Sequence, residues 1–163
     1  MVKERIETYR ISPTGNNAVK LRKEVDFFLQ LAPGIDSENA EPALEDGLAG
    51  EAYAEMCKLS NINEDNIFIC DRRRRKFSRD DFKDVDFSQR MIYCHKKEKE
   101  SELSSLLRHM RNALAHGNLF VKFLRNNTLV CLQDFCRDGK PSALIVTNKA
   151  TLEKWRNCLE RKS

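Results

Sequence analysis

The chain has 163 residues, enough for one domain with a real core and too few for two comfortable ones. Hydrophobic residues at 40% and charged residues at 33% describe a globular protein with a heavily charged surface, which confines disorder to ends and loops. The net charge of +4, from 29 basic and 25 acidic residues, permits an anionic partner without demanding one.

Six cysteines, Cys57, Cys70, Cys94, Cys131, Cys136 and Cys158, form no C-x-x-C pair, so neither a zinc ribbon nor a small disulfide framework is suggested. Reduced, mostly buried thiols are expected. The start, MVKERIETYRI, lacks the apolar h-region of a secretory signal, and no apolar run approaches the roughly 20 residues of a membrane helix. The expected compartment is the cytoplasm.

In chain order, residues 1–17 end in the turn-rich cluster Ser12-Pro13-Thr14-Gly15-Asn16-Asn17 and read as an irregular or short extended lead-in. A first helix is expected from Ala18 to about Leu31, ending before Pro33-Gly34. A second, with Ser37 or Asn39 as cap and Pro42 in its first turn, runs through Leu44, Leu48, Ala52, Met56 and Leu59. Gly47 and Gly50 read as a tolerated flaw or a bend in it.

After Asn63–Asn66, the apolar run Ile67-Phe68-Ile69-Cys70 leads into Asp71 and five consecutive cations, Arg72, Arg73, Arg74, Arg75 and Lys76. They either touch phosphates through sequence-independent charge or form a solvated basic loop, over 71–79, offset by Asp80, Asp81, Asp84 and Asp86. Phe77, Phe82, Val85 and Phe87 are expected to pin that loop to the core. Met91 to Glu102, with KKEKESE at its centre, reads as the exposed first part of a long helix. Cys94 and His95 are adjacent, so they point in different directions, and no partner spacing makes them a metal pair.

The most informative stretch is Leu103–Phe120, LSSLLRHMRNALAHGNLF. Leu103, Leu106, Leu107, Met110 and Leu114 recur at i, i+3, i+4, i+7 and i+11, an apolar stripe along one side of a helix. Arg108, His109, Asn112, Ala115 and His116 fall on the opposite side, with Arg111 on the flank. Gly117 can take the left-handed conformation that stops the helix, which leaves His116 at its C-terminus.

Beyond Gly117 the period becomes extended. Leu119–Leu124 and Thr128–Leu132, joined at Asn126-Asn127, read as a β-hairpin. Asp138-Gly139-Lys140-Pro141 marks a turn before the apolar Ala143–Val146. Asn148 can cap a final helix with Leu152, Trp155 and Leu159 on its apolar stripe.

Arg111, its polar neighbour Asn112, the four-residue gap to His116 and the Ala-His-Gly ending resemble the signature of the HEPN superfamily, the higher eukaryotes and prokaryotes nucleotide-binding domain, in its Rx4H ribonuclease form. Together with the patterns above, the resemblance points to one HEPN-like domain over residues 1–163, mainly α: a four-helix bundle whose helices occupy 18–117, followed by the small antiparallel β-meander at 118–148 and the final helix at 149–161 that the residues themselves indicate. It also implies a homodimer in which two signature helices face each other across a cleft.

The chemistry suits RNA. Near neutral pH a histidine can take a proton from a ribose 2′-hydroxyl or give one to a leaving 5′-oxygen. An arginine can hold the phosphate and stabilise charge building on its oxygens. Arg111 and His116 together could cleave RNA without a metal or cofactor, giving a 2′,3′-cyclic phosphate and a 5′-hydroxyl. Asn112 could orient the imidazole or touch the phosphate. Arg108, His109 and the run Arg72–Lys76 are the candidates for RNA contact, with His109 read as a surface or interface residue. The residues alone leave a plainer reading open, because a helix C-terminus favours a histidine and a helix flank commonly carries a salt-bridged arginine. The expected role is a toxin or phage-defence ribonuclease, with a cognate antitoxin or regulator as a further partner and no membrane contact. The alternative is a non-catalytic HEPN module that binds a nucleotide, nucleic acid or protein.

Overall fold

The computed structural model describes residues 3–31, 46–70 and 77–162. The calls on Ser37, Asn39, Pro42 and Arg72–Lys76 lie outside the described residues. Helices α1 (Arg22–Leu31), α2 (Asp46–Leu59), α4 (Glu102–Ala115) and α5 (Lys149–Lys162) form, with a short α3 (Arg79–Lys83) between them. The long helices pack against one another, and α4 and α5 also lie on a sheet.

That sheet has six strands in the order β2 (Arg10–Ile11), β6 (Leu119–Leu124), β7 (Asn127–Phe135), β8 (Pro141–Asn148), β5 (Met91–His95) and β3 (Ile67–Cys70). All neighbours pair antiparallel except β3 and β5, which run parallel, with Cys70 opposite His95. A separate two-stranded piece joins β1 (Glu4–Arg5) to β4 (Asp84–Val85). The expectation of a mainly α four-helix bundle is therefore overturned: the chain is a mixed α and β fold.

Strand alternation explains the layering. Ile92, Cys94, Leu119, Val121, Val130, Leu132, Ala143 and Ile145 point to one face and share a core with the four long helices. Tyr93, Phe120, Cys131, Leu144 and Val146 point to the other, where Ile6, Phe82, Val85 and Phe87 cover them. A strand buried on both faces reads as a near-continuous apolar run. This is the physical reason that Met91–His95 escapes a helix-or-strand decision by period, and it forms β5 where an exposed helical segment was expected.

Locally, several signals do their work in place. The hairpin β6–β7 forms with Leu124 opposite Asn127, and Asn148 Oδ1 accepts from the Thr151 amide at 2.8 Å to start α5. Trp155 is buried on α5 and donates Nε1–H to the Met56 carbonyl at 3.1 Å, tying α5 to α2. Helix α2 runs unbroken through Gly47 and Gly50. Among the described cysteines, Cys94, Cys131 and Cys158 are buried, and burial pushes the Cys131 thiol up.

Candidate active site

Helix α4 is placed by its ends. Ser101 Oγ accepts from the Ser104 amide at 3.1 Å, so the helix starts only after the charged run that precedes it. At the other end the Asn118 amide donates to Ala113 O at 2.8 Å and the Gly117 amide to Leu114 O at 3.2 Å, with Gly117 at φ +72°. This is the paired closure in which glycine supplies the left-handed residue. His116 is the capping residue itself, with φ −93° and ψ 4°, and its side chain is exposed. From β2, Arg10 Nη1 donates to Gly117 O at 2.7 Å and to Asn118 Oδ1 at 2.9 Å, bracing the turn.

The apolar stripe of α4 is buried as its spacing implies. A second stripe, Ser105, His109, Asn112 and His116 at i, i+4, i+7 and i+11, faces the ends of β5 and β7. His109 is 2% exposed, which corrects its reading as a surface or interface residue. Its Nδ1 donates to Asp134 Oδ2 at 2.8 Å, and its Nε2 lies 2.7 Å from the main-chain oxygen of His95. Arg108 Nη2 lies 3.3 Å from the same Nε2. The His95 oxygen also accepts from Ser105 Oγ and Arg108 Nη2, each at 3.2 Å.

Arg108, a candidate for RNA contact, is engaged inside the protein. Its Nε donates to Glu100 Oε2 at 2.7 Å and its Nη2 to Glu100 Oε1 at 3.0 Å, a two-pronged pair that is mostly buried. Burial works to raise the Glu100 carboxyl, but the hydrogen bonds and charge of Arg108 outweigh it and hold Glu100 below its usual range.

Asp134 is the residue that sequence reasoning missed. It is 3% exposed, and its Oδ2 receives Asn112 Nδ2 at 3.4 Å as well as His109. Its Oδ1 accepts from the Phe135 amide at 2.9 Å. The register of β7 and β8 shifts at this point: Asp134 faces Ala143 and Phe135 faces Pro141, so Ser142 is the extra residue of a bulge. A signal for Asp134 exists in the sequence. It has the same parity as Val130 and Leu132, so a carboxylate occupies an inward-pointing position on an otherwise apolar face.

These groups line one open cleft of about 720 Å³. Arg111, Asn112 and His116 border it together, and so do His95, His109 and Asp134. All three histidines of the chain thus meet at a single place. The Tyr93 hydroxyl and His95 Nε2 share a hydrogen bond, which fixes the His95 ring. Lys96, Lys97 and Arg137 add cations at the same cleft, against the carboxylates of Glu98 and Asp134. Arg111 Nη1 donates to Asn112 Oδ1 at 3.3 Å. A second cavity, of about 850 Å³, lies beside α2, and the described residues that line it include Cys57, Lys58, Asn61 and Glu64 but no histidine or arginine. Among the described residues, no group of three or more His, Cys, Asp or Glu side chains is arranged to hold a metal ion.

Residues 39–154 match the family model described as HEPN pEK499 p136. The chain belongs to this HEPN family. The match spans the whole of the cleft, from β5 through α4 to β8. Comparisons with curated proteins and with solved structures returned no match. HEPN membership implies nucleotide-binding or nuclease-like function, since the superfamily includes ribonucleases and its domains often bind RNA and dimerise. No helix among the described residues of this HEPN domain is long and apolar enough to cross a membrane.

Proposed function

We propose that this HEPN domain is a metal-independent endoribonuclease of the Rx4H type, acting as a toxin or phage-defence effector. The observation that carries the reading is the convergence of Arg111, Asn112 and His116 on one open cleft at the C-terminal end of α4. Five residues along a helix advance about 7.5 Å, so the Arg111 and His116 side chains approach the cleft from successive turns, a spacing suited to a phosphodiester and its neighbouring ribose.

In the proposed reaction His116 takes the proton of the 2′-hydroxyl, and that oxygen attacks the adjacent phosphorus. The bond from phosphorus to the 5′-oxygen breaks, and an acid returns a proton to the leaving oxygen. The products are a 2′,3′-cyclic phosphate and a 5′-hydroxyl. Arg111 balances the charge that builds on the phosphoryl oxygens. The second imidazole is His116 of a partner copy in a homodimer. DNA, which lacks the 2′-hydroxyl, is inert.

The test is incubation of purified protein with structured and unstructured RNA in excess EDTA, beside His116→Ala and Arg111→Ala, with analysis of product ends. Cyclic-phosphate ends from wild type, absent from both variants, support the reading. Folded wild type that cuts nothing, or equal cutting by all three, removes it.

A further inference from the structure

The hydrogen bonds behind Arg111 form a chain that leaves α4 and ends on strand β7. Arg111 Nη1 donates to Asn112 Oδ1 at 3.3 Å, Asn112 Nδ2 donates to Asp134 Oδ2 at 3.4 Å, and the same carboxylate oxygen receives His109 Nδ1 at 2.8 Å. The orientation of the Asn112 amide follows from charge. With its NH2 toward the carboxylate and its oxygen toward the guanidinium, both neighbours are attracted; turned over, it would set oxygen against carboxylate and NH2 against guanidinium. Asp134 is therefore the group that decides which end of Asn112 meets Arg111. The bulge at Asp134 and Phe135 sets the carboxylate at the end of the β7 row, and His109, itself buried, holds it from the far side.

We propose that Asp134 is a positioning residue of the active site: it orients the Asn112 amide, and through it the Arg111 guanidinium, toward the phosphate in the cleft. This rests on the ribonuclease reading for its phosphate, but the network can be tested without cleavage. Asp134 touches no substrate. Its effect should pass through Asn112 and appear in turnover more than in ground-state binding of RNA.

The experiment is a double-mutant cycle with Asp134→Asn, which keeps the shape but, with its oxygen on the Phe135 amide, turns an NH2 that cannot accept toward Asn112 and His109, and Asn112→Ala, alone and combined. The expected result is that each single change lowers kcat by about 10- to 100-fold, the size seen when groups that orient functional residues are removed, while KM stays close to wild type. The combined variant should be no slower than Asn112→Ala alone, because both changes cut the same chain. Losses that multiply in the combined variant would overturn the proposal. So would an Asp134→Asn protein with a lowered thermal midpoint and an unchanged kcat, since that is what a merely structural carboxylate gives. If folded wild type cuts no RNA, the ribonuclease reading fails by itself. The network is then read without substrate, in the side-chain ¹⁵N–¹H NMR signals of Arg111. A shift of the guanidinium signals in Asp134→Asn that is absent when Asn112 is already alanine sustains the network, and unmoved signals, or the same shift in both backgrounds, overturn it.

Discussion

The imidazole of His109 and the carboxylate of Asp134 meet at 2.8 Å with almost no exposure to solvent, His109 at 2% and Asp134 at 3%. Removing one member of such a pair leaves the other buried without its partner, which costs about 3–5 kcal/mol. His109→Leu and Asp134→Leu are each expected to fall in this range by urea denaturation. Apolar replacement of both is often neutral, so the double variant should be more stable than either single one. A double variant that loses the sum of the two would show that the pair is not coupled.

Glu100 gives the stability a pH dependence of known sign. Its carboxyl is held below the ordinary glutamate value of about 4.5 in the folded protein by Arg108, so the contribution is present in full above about pH 4.5 and is lost as the pH falls through the lower folded value. Glu100→Gln should therefore be less stable than wild type at pH 7, and the gap should close in acid. A constant gap from pH 7 down to pH 3 would contradict the assignment.

Gly117 occupies φ +72°, and a Cβ built there meets nothing within 4 Å. Gly117→Ala should then cost about 1 kcal/mol, from backbone strain and not from collision. Gly117→Asn should cost less, because asparagine tolerates this region. Because the strain falls at the residue after His116, cleavage should drop further than the stability loss accounts for. Denaturation and cleavage rates measured on the same preparations check both halves.

Lys97 and Arg137 are exposed at the cleft rim and are expected to meet phosphates. Lys97→Ala and Arg137→Ala should each weaken RNA binding across sequences alike and reduce the slope of log affinity against log salt by about 1. The pattern of cut sites should stay the same. An altered pattern with an unchanged slope would mean that they read bases and not phosphates.

The parts of the fold legible in the sequence are those decided within a few residues. Helix α4 announces itself by its stripe and its glycine, the β6–β7 hairpin by two extended runs around a turn, and α5 by the cap at Asn148. What was lost was decided by distant partners. β5 is a strand because β3 and β8 flank it and cores lie on both its faces, none of which its own five residues state. The charged run after it suggested a helix, yet Glu100 turns back to grip Arg108 eight residues on, outside any helical pairing.

The site divides along the same line. Arg111, Asn112 and His116 were legible because they share one short stretch. His109 was misplaced because the face opposite an apolar stripe was taken for solvent, whereas α4 lies between helices and sheet and is covered on two sides. Asp134 reaches the site only when β7 is laid beside α4, 22 residues from Asn112 in the chain. Its parity with Val130 and Leu132 was the available clue.

The turn that ends α4 is held by main-chain hydrogen bonds at Ala113, Leu114, Gly117 and Asn118, so the exit direction of His116 is written in backbone geometry. Such an eight-residue unit, Arg111 to Asn118, is portable: placed at the end of another helix, it would carry the aim of its histidine with it. The arginine would not travel so well, since its bearing is taken from a carboxylate on strand β7. Transplanting the motif should thus deliver a well-aimed imidazole beside a loosely aimed guanidinium, until a strand with an inward acid is supplied to face it.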